Sequence, residues 1–165
     1  METKSRYLVR ASELQAEDEI VFHHPLNPNS AVAFRHVGGK SLSELVGLKR
    51  TGVHLCRILP GKEAFVYHRH FGEEEWVYIL SGRGVAEIGD EELAVGPGDF
   101  LGYPPGTAAH HLRNPHDEDL LCLMGGERRE IGVLRAVGDP AARFAEDGLR
   151  VLRALGLRAA STRTN

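Results

Sequence analysis

Two of the chain's 9 histidines stand one residue apart in "HRHFGEEEW", residues 68–76. In an extended strand, side chains two apart share a face, so His68 and His70 project together while Arg69 points away. At roughly 3.3 Å per residue their Cα atoms lie about 6.6 Å apart, which lets two imidazoles converge on one ion at bonds of about 2.0–2.1 Å. A short turn, "FGEE", then lets the chain reverse. Glu75 heads the next apolar run, "EWVYILS", and shares parity with Val77 and Ile79, an inward row. Glu73 and Glu74 fall in the turn and are expected in solvent. A further ligand must come from a strand that is near in space. "PPGTAAHHLRNP" offers His110 and His111, and the face that carries Leu112 is the better interior face, so His110 points in and His111 out. Three imidazoles (His68, His70, His110) and one carboxylate (Glu75) suit one divalent first-row ion: zinc, iron, manganese, nickel or cobalt. They also leave coordination positions open for water or substrate.

Stepping outward from these residues, the segment from Gly52 onward consists of short runs rich in Val, Ile, Leu and aromatics: "GVHLCRIL", "AFVYHRH", "EWVYILS", "GVAEIG", "EELAV", "DFLGY", "HHLRN" and "DLLCLMG". Gly, Pro, Asn and Asp punctuate them. That texture predicts an all-β sandwich or barrel, with a hairpin turning at Gly89-Asp90. Glycines 61, 82, 98 and 106 are turn positions that need positive φ or close approach. Residues 1–50 read as an extension that packs on the barrel or on a partner, with "HHPLNPNS" a loop and 41–48 one short helix. The barrel spans 51–138. Beyond it, 139–165 read as a helical segment with a frayed tail, opened by Asp139-Pro140 and carrying the apolar stripe Phe144, Leu149, Leu152 and Leu155. Arginines 143, 150, 153 and 158 form the solvated face of that helix.

Composition narrows the partners. A formal net charge of -3 gives no general reason to bind nucleic-acid phosphates or anionic lipids. No stretch approaches a membrane span and the start has no apolar signal core, so a cytoplasmic location is the expectation. Cys56 and Cys122 lie in apolar runs and read as buried reduced thiols. His23, His24, His36, His54, His111 and His116 lack the ligand spacing and read as exposed or locally bonded. Arg57 reads as a salt-bridge or outward-facing residue, and Tyr78 and Tyr103 as core or interface aromatics.

These motifs resemble those of the cupin superfamily, small antiparallel jelly-roll β-barrels whose two motifs carry the metal ligands. The first family motif, G-x5-H-x-H-x3-4-E-x6-G, is met by Gly61, His68, His70, Glu75 and Gly82, with six residues instead of five before His68. The second, G-x5-P-x-G-x2-H-x3-N, is met by Gly98, Pro104, Gly106, His110 and Asn114, with three residues instead of two before His110. The extra residue keeps His111 as an alternative ligand. The resemblance covers about 52–125 and implies a homodimer in which edge strands pair or terminal segments are exchanged.

The resemblance and the ligand set together imply a mononuclear metalloenzyme, an isomerase, lyase or dioxygenase, acting on a small anionic oxygenated molecule held in the barrel. A binding or sensor module that does not turn its ligand over is the alternative. A purely structural ion ranks below both, because such sites close with cysteine, and neither cysteine lies in the motif.

Overall fold

The computed structural model describes residues 6–14 and 19–127. The expected C-terminal helix, its arginines, its tail and residues 128–138 of the barrel segment lie outside the described residues. Nine strands run through the rest: β1 (Glu19–Phe22), β2 (Val32–Arg35), β3 (Thr51–Ile58), β4 (Glu75–Ser81), β5 (Gly84–Ile88), β6 (Glu91–Val95), β7 (Phe100–Tyr103), β8 (His110–Arg113) and β9 (Leu120–Glu127). They form a six-stranded sheet, ordered β1-β2-β3-β9-β4-β7, and a three-stranded sheet, ordered β6-β5-β8. Every strand ladder is antiparallel. The order is jelly-roll-like, as the resemblance implies. No helix of the described residues is long and apolar enough to cross a membrane.

The alternation of side chains explains the core. Along β4, Glu75, Val77 and Ile79 are buried while Tyr78 and Leu80 are exposed. Along β9, Leu120, Cys122 and Met124 point in. With Phe34, Ile58, Phe65 and Leu112 they form one apolar core between the sheets. Cys56 and Cys122 are register partners on β3 and β9, unbridged, with their sulfurs 3.7 Å apart. Burial pushes the Cys56 thiol well above its ordinary pKa, with the neighbouring Cys122 adding to the shift, which suits an inert core residue.

The outer face of the large sheet is also apolar. Leu55, Leu123, Tyr78 and Phe100 make one cross-strand row over β3, β9, β4 and β7. Trp76 stacks on Phe100 at 6.2 Å and covers Gly125. A Cβ at Gly125 would meet the Trp76 ring at 2.3 Å and the Gly52 carbonyl at 2.7 Å, so only glycine fits there.

Several expectations need correction. "AFVYHRH" is not a regular strand; isolated bridges, Glu63 to Arg113 and His68 to His110, hold it against β8. The helix in 41–48 shrinks to one turn, α1 (Leu42–Leu45), because Glu44 closes a capping box on Ser41 and Gly47 follows at φ 78°. Two strands, β1 and β2, lie within 1–50, where the sequence suggested loops and one helix. Glu19 holds them in place: its carboxylate takes Arg57 at 2.7 Å and Arg35 at 2.9 Å, and Arg57 reaches on to Asp119 at 2.6 Å. Burial alone would raise the Glu19 pKa, but the two guanidinium partners prevail and lower it. The predicted hairpin at Gly89-Asp90 is present, and Gly61, Gly82, Gly98 and Gly106 all have positive φ.

Asn114 is fully buried and pins three loops. Its amide donates to the carbonyls of Ile58 at 2.9 Å, Leu59 at 3.2 Å and Glu118 at 2.7 Å, and its Oδ1 accepts from the His116 amide at 3.2 Å. Replacing Asn114 by Ala leaves buried carbonyls without donors, so Asn114→Ala is expected to lower unfolding stability by about 2 kcal/mol in urea titration. An unchanged denaturation midpoint would show that water takes over those bonds.

Candidate metal centre

Three elements bring the four candidate ligands together. The irregular segment before β4 supplies His68 and His70. Glu75 is the first residue of β4, and His110 the first of β8, on the opposite sheet. Two backbone hydrogen bonds tie His68 to His110, at 3.0 Å and 2.7 Å. A third, from the Gly106 amide to the His70 carbonyl at 2.7 Å, fastens the loop before β8 to the same segment. The bridges therefore do the work that strand pairing was expected to do.

The side chains converge. Glu75 Oε2 lies 2.6 Å from His70 Nε2, 3.1 Å from His110 Nε2 and 3.4 Å from His68 Nε2. One ligand atom from each of the four residues falls within 4.8 Å of the others, and all four residues are buried. Cis ligands on an ion with bonds of about 2.1 Å stand about 3.0 Å apart, which is close to these separations. The chemistry fits too. His68 Nδ1 lies 2.7 Å from the Val66 carbonyl, which places the proton on Nδ1 and leaves the Nε2 lone pair directed at the cluster. Three imidazole nitrogens around one carboxylate oxygen form a cluster able to hold a divalent cation.

Burial would raise the Glu75 pKa, but the surrounding histidines, His110 foremost, prevail and hold it well below the usual range. Burial lowers that of His110; the attraction of Glu75 opposes this only in part, and His68 and His70 add to the lowering. These shifts keep Glu75 a carboxylate and the His110 ring neutral, the forms a cation needs.

The remaining sequence expectations sort clearly. His110, not His111, joins the cluster. His111 is nonetheless buried, with Nδ1 3.1 Å from Glu87 and Nε2 3.7 Å from Glu63. Glu73 is not in solvent, as its place in the turn suggested. It is 4% exposed, and its carboxylate lies 3.8 Å from Nδ1 of His70, behind the ring. That position can orient His70 toward the cluster. Glu74 is exposed, as expected. His36 and His54 contact each other at 3.1 Å and are locally bonded.

Sequence reasoning missed Tyr103 as a neighbour of the site. Its ring lies parallel to His110, with centroids 3.6 Å apart and planes 5° apart. It pairs with Glu75 across β4 and β7. It borders, with His68, Glu75 and His110, a small cavity otherwise walled by Ala64, Phe65, Val66, Val77, Leu112, Met124 and His111. Parity with Leu101 could have marked Tyr103 as inward; its register against Glu75 could not be read.

Comparisons with known proteins agree with this geometry. The Cupin domain family matches residues 54–125. A candidate sugar phosphate isomerase of Acidithiobacillus ferrooxidans has a similar structure, with TM-score 0.69 and 39% identity over 76% of this chain and 77% of that one. A sugar phosphate isomerase from a cupin superfamily, of Silicibacter pomeroyi, follows with TM-score 0.58 and 26% identity over 67% of this chain and 69% of its own. An uncharacterized protein of Methanocaldococcus jannaschii is 37% identical over 57 residues, which are 34% of this chain and 45% of that relative, so the match spans under half of the curated protein's length. The chain belongs to the cupin superfamily.

Protons compete with a cation for the imidazoles. Because the His110 pKa is lowered from its ordinary 6.5, its neutral form persists to lower pH than that of a free ring. Bound metal should therefore be stable at neutral pH and lost as pH falls below about 6. Elemental analysis after dialysis at stepped pH checks this; undiminished metal at pH 5 would contradict it.

Proposed function

We propose that this chain is a mononuclear metalloenzyme of the isomerase, lyase or dioxygenase kind, with His68, His70, Glu75 and His110 as the ligands of one divalent ion. Its substrate is a small anionic oxygenated molecule held in the barrel. The observation that carries this reading is the convergence of three imidazoles on one carboxylate oxygen at the wall of a cavity. The bound ion would polarise a chelating substrate oxygen or bring dioxygen beside it, and zinc, iron, manganese, nickel and cobalt all suit these donors. The chain's own part is to keep Glu75 ionised and the His110 ring neutral, and to exclude water with Phe65, Val77, Leu112 and Met124. The two similar structures named as sugar phosphate isomerases favour the isomerase arm. The apolar wall favours dioxygen chemistry or the alternative, a binding cupin that does not turn its ligand over.

The same reading extends to assembly and location. We propose a homodimer that packs the outer faces of two large sheets together. The row Leu55, Leu123, Tyr78 and Phe100 is continuous, with Phe100 64% exposed, and aromatic residues are enriched in interface cores. Sheets pack face to face at about 10 Å, which such a row can fill. Residues 1–50, which carry β1 and β2, are read as an N-terminal extension packing on the barrel that begins at residue 51. The net charge of -3 supports a small molecule over nucleic acid as ligand, and unbridged thiols support a cytoplasmic location.

Two measurements test these proposals. A His68→Ala/His70→Ala double variant is expected to lose bound metal and any turnover found in a substrate screen; retained turnover would sink the metalloenzyme reading. Sedimentation equilibrium should give a dimer for the native chain and a monomer for Tyr78→Lys/Phe100→Lys. A dimer in both would place the interface elsewhere.

A further inference from the structure

In the run "GEEEW", Glu73 and Glu75 are both buried, while Glu74 between them is exposed. A carboxylate taken out of water is costly unless a donor or a positive charge meets it, and the ligand set uses only one of these two. Glu73 Oε2 stands 3.8 Å from Nδ1 of His70, while Nε2 of the same ring stands 2.6 Å from Glu75 Oε2. Two carboxylates therefore bracket one imidazole, one at each nitrogen.

The single proton of a neutral ring gives the two ends different roles. A neutral imidazole has one N–H and one lone pair. A cation at the cluster takes the Nε2 lone pair, so the N–H must stand on Nδ1, on the side that faces Glu73. For His68 the equivalent acceptor is neutral, the Val66 carbonyl 2.7 Å from its Nδ1. A carboxylate accepts such a proton more strongly than a carbonyl does, and this makes the imidazole a better donor to a metal. Together with Glu75 it also brings two negative charges to an ion of charge two, which balances the charge buried there.

We propose that Glu73 is a positioning residue of the metal centre. Its carboxylate accepts the Nδ1 proton of His70 when the ion is bound, which fixes the tautomer of the ring and strengthens it as a ligand. This rests on the metal reading above. It goes beyond bracing of the turn, a role in which the charge behind the ring would not matter.

Glu73→Gln keeps the size of the side chain and removes the charge, and Glu74→Gln makes the same change on the exposed neighbour. For the full chain and each variant, cobalt(II) affinity is measured by competition with a chelator, and the visible spectrum of bound cobalt is recorded. Glu73→Gln should bind cobalt about 10–100-fold more weakly than native protein and shift its spectrum. Glu74→Gln should match native protein in both. Native affinity and spectrum in Glu73→Gln would overturn the proposal, even where its metal-free form melts earlier, because the carboxylate would then brace the turn only. An equal loss in both variants would overturn it too, since overall charge and not His70 would be responsible. Should Glu73→Gln fail to fold, Glu73→Asp carries the test: it keeps the charge but withdraws the oxygen from Nδ1, so it must bind cobalt more weakly, and native affinity in it would be contrary. Native protein that takes up no cobalt would instead defeat the underlying metal reading, and this proposal with it.

Discussion

A carboxylate buried in an apolar interior is costly unless positive charge or hydrogen-bond donors meet it. Glu75 is 5% exposed, and three imidazole nitrogens are what meet it. This single convergence constrains the rest of the molecule. It requires a residue from the large sheet, a residue from the small sheet and two from the segment between them to meet at one point. The His68–His110 bridge and the Gly106–His70 hydrogen bond keep that point from opening.

Around the cluster, each ring has its own support. The Val66 carbonyl sets the tautomer of His68, Glu73 stands behind His70, and Tyr103 lies flat on His110. These supports come from the turn, the irregular segment and β7, so the site is preorganised by the fold and not by local sequence alone. Apolar walls then lower the local dielectric, which strengthens whatever charge the site holds. The same sheet turns a second apolar surface outward, and that surface is separate from the chemistry.

Much of this was legible in the sequence because period-two alternation is a local signal. Strands β3 to β9 could be read from short apolar runs; Glu75 was selected by its place at the head of a run together with parity, and His110 by parity together with its spacing to Asn114. The failures have physical causes. Strands β1 and β2 flank the turn-rich "HHPLNPNS" and depend on Glu19 meeting Arg35 and Arg57 in space. "AFVYHRH" has the composition of a strand, yet only isolated bridges form, so composition overstated its regularity. Glu73 looked like a solvated turn residue because charge in a turn is usually solvated; a neighbouring imidazole reverses that. Tyr103 owes its importance to register with Glu75, which no single strand reveals.

Anomalous diffraction from crystals of the purified chain, collected across the absorption edges of the first-row metals, tests the central claim most directly. One anomalous peak within bonding distance of His68, His70, Glu75 and His110, at an occupancy near one ion per chain, is the predicted result. An absence of any peak there in crystals grown with added divalent metal, with Glu75 still bonded directly to its histidines, would contradict it.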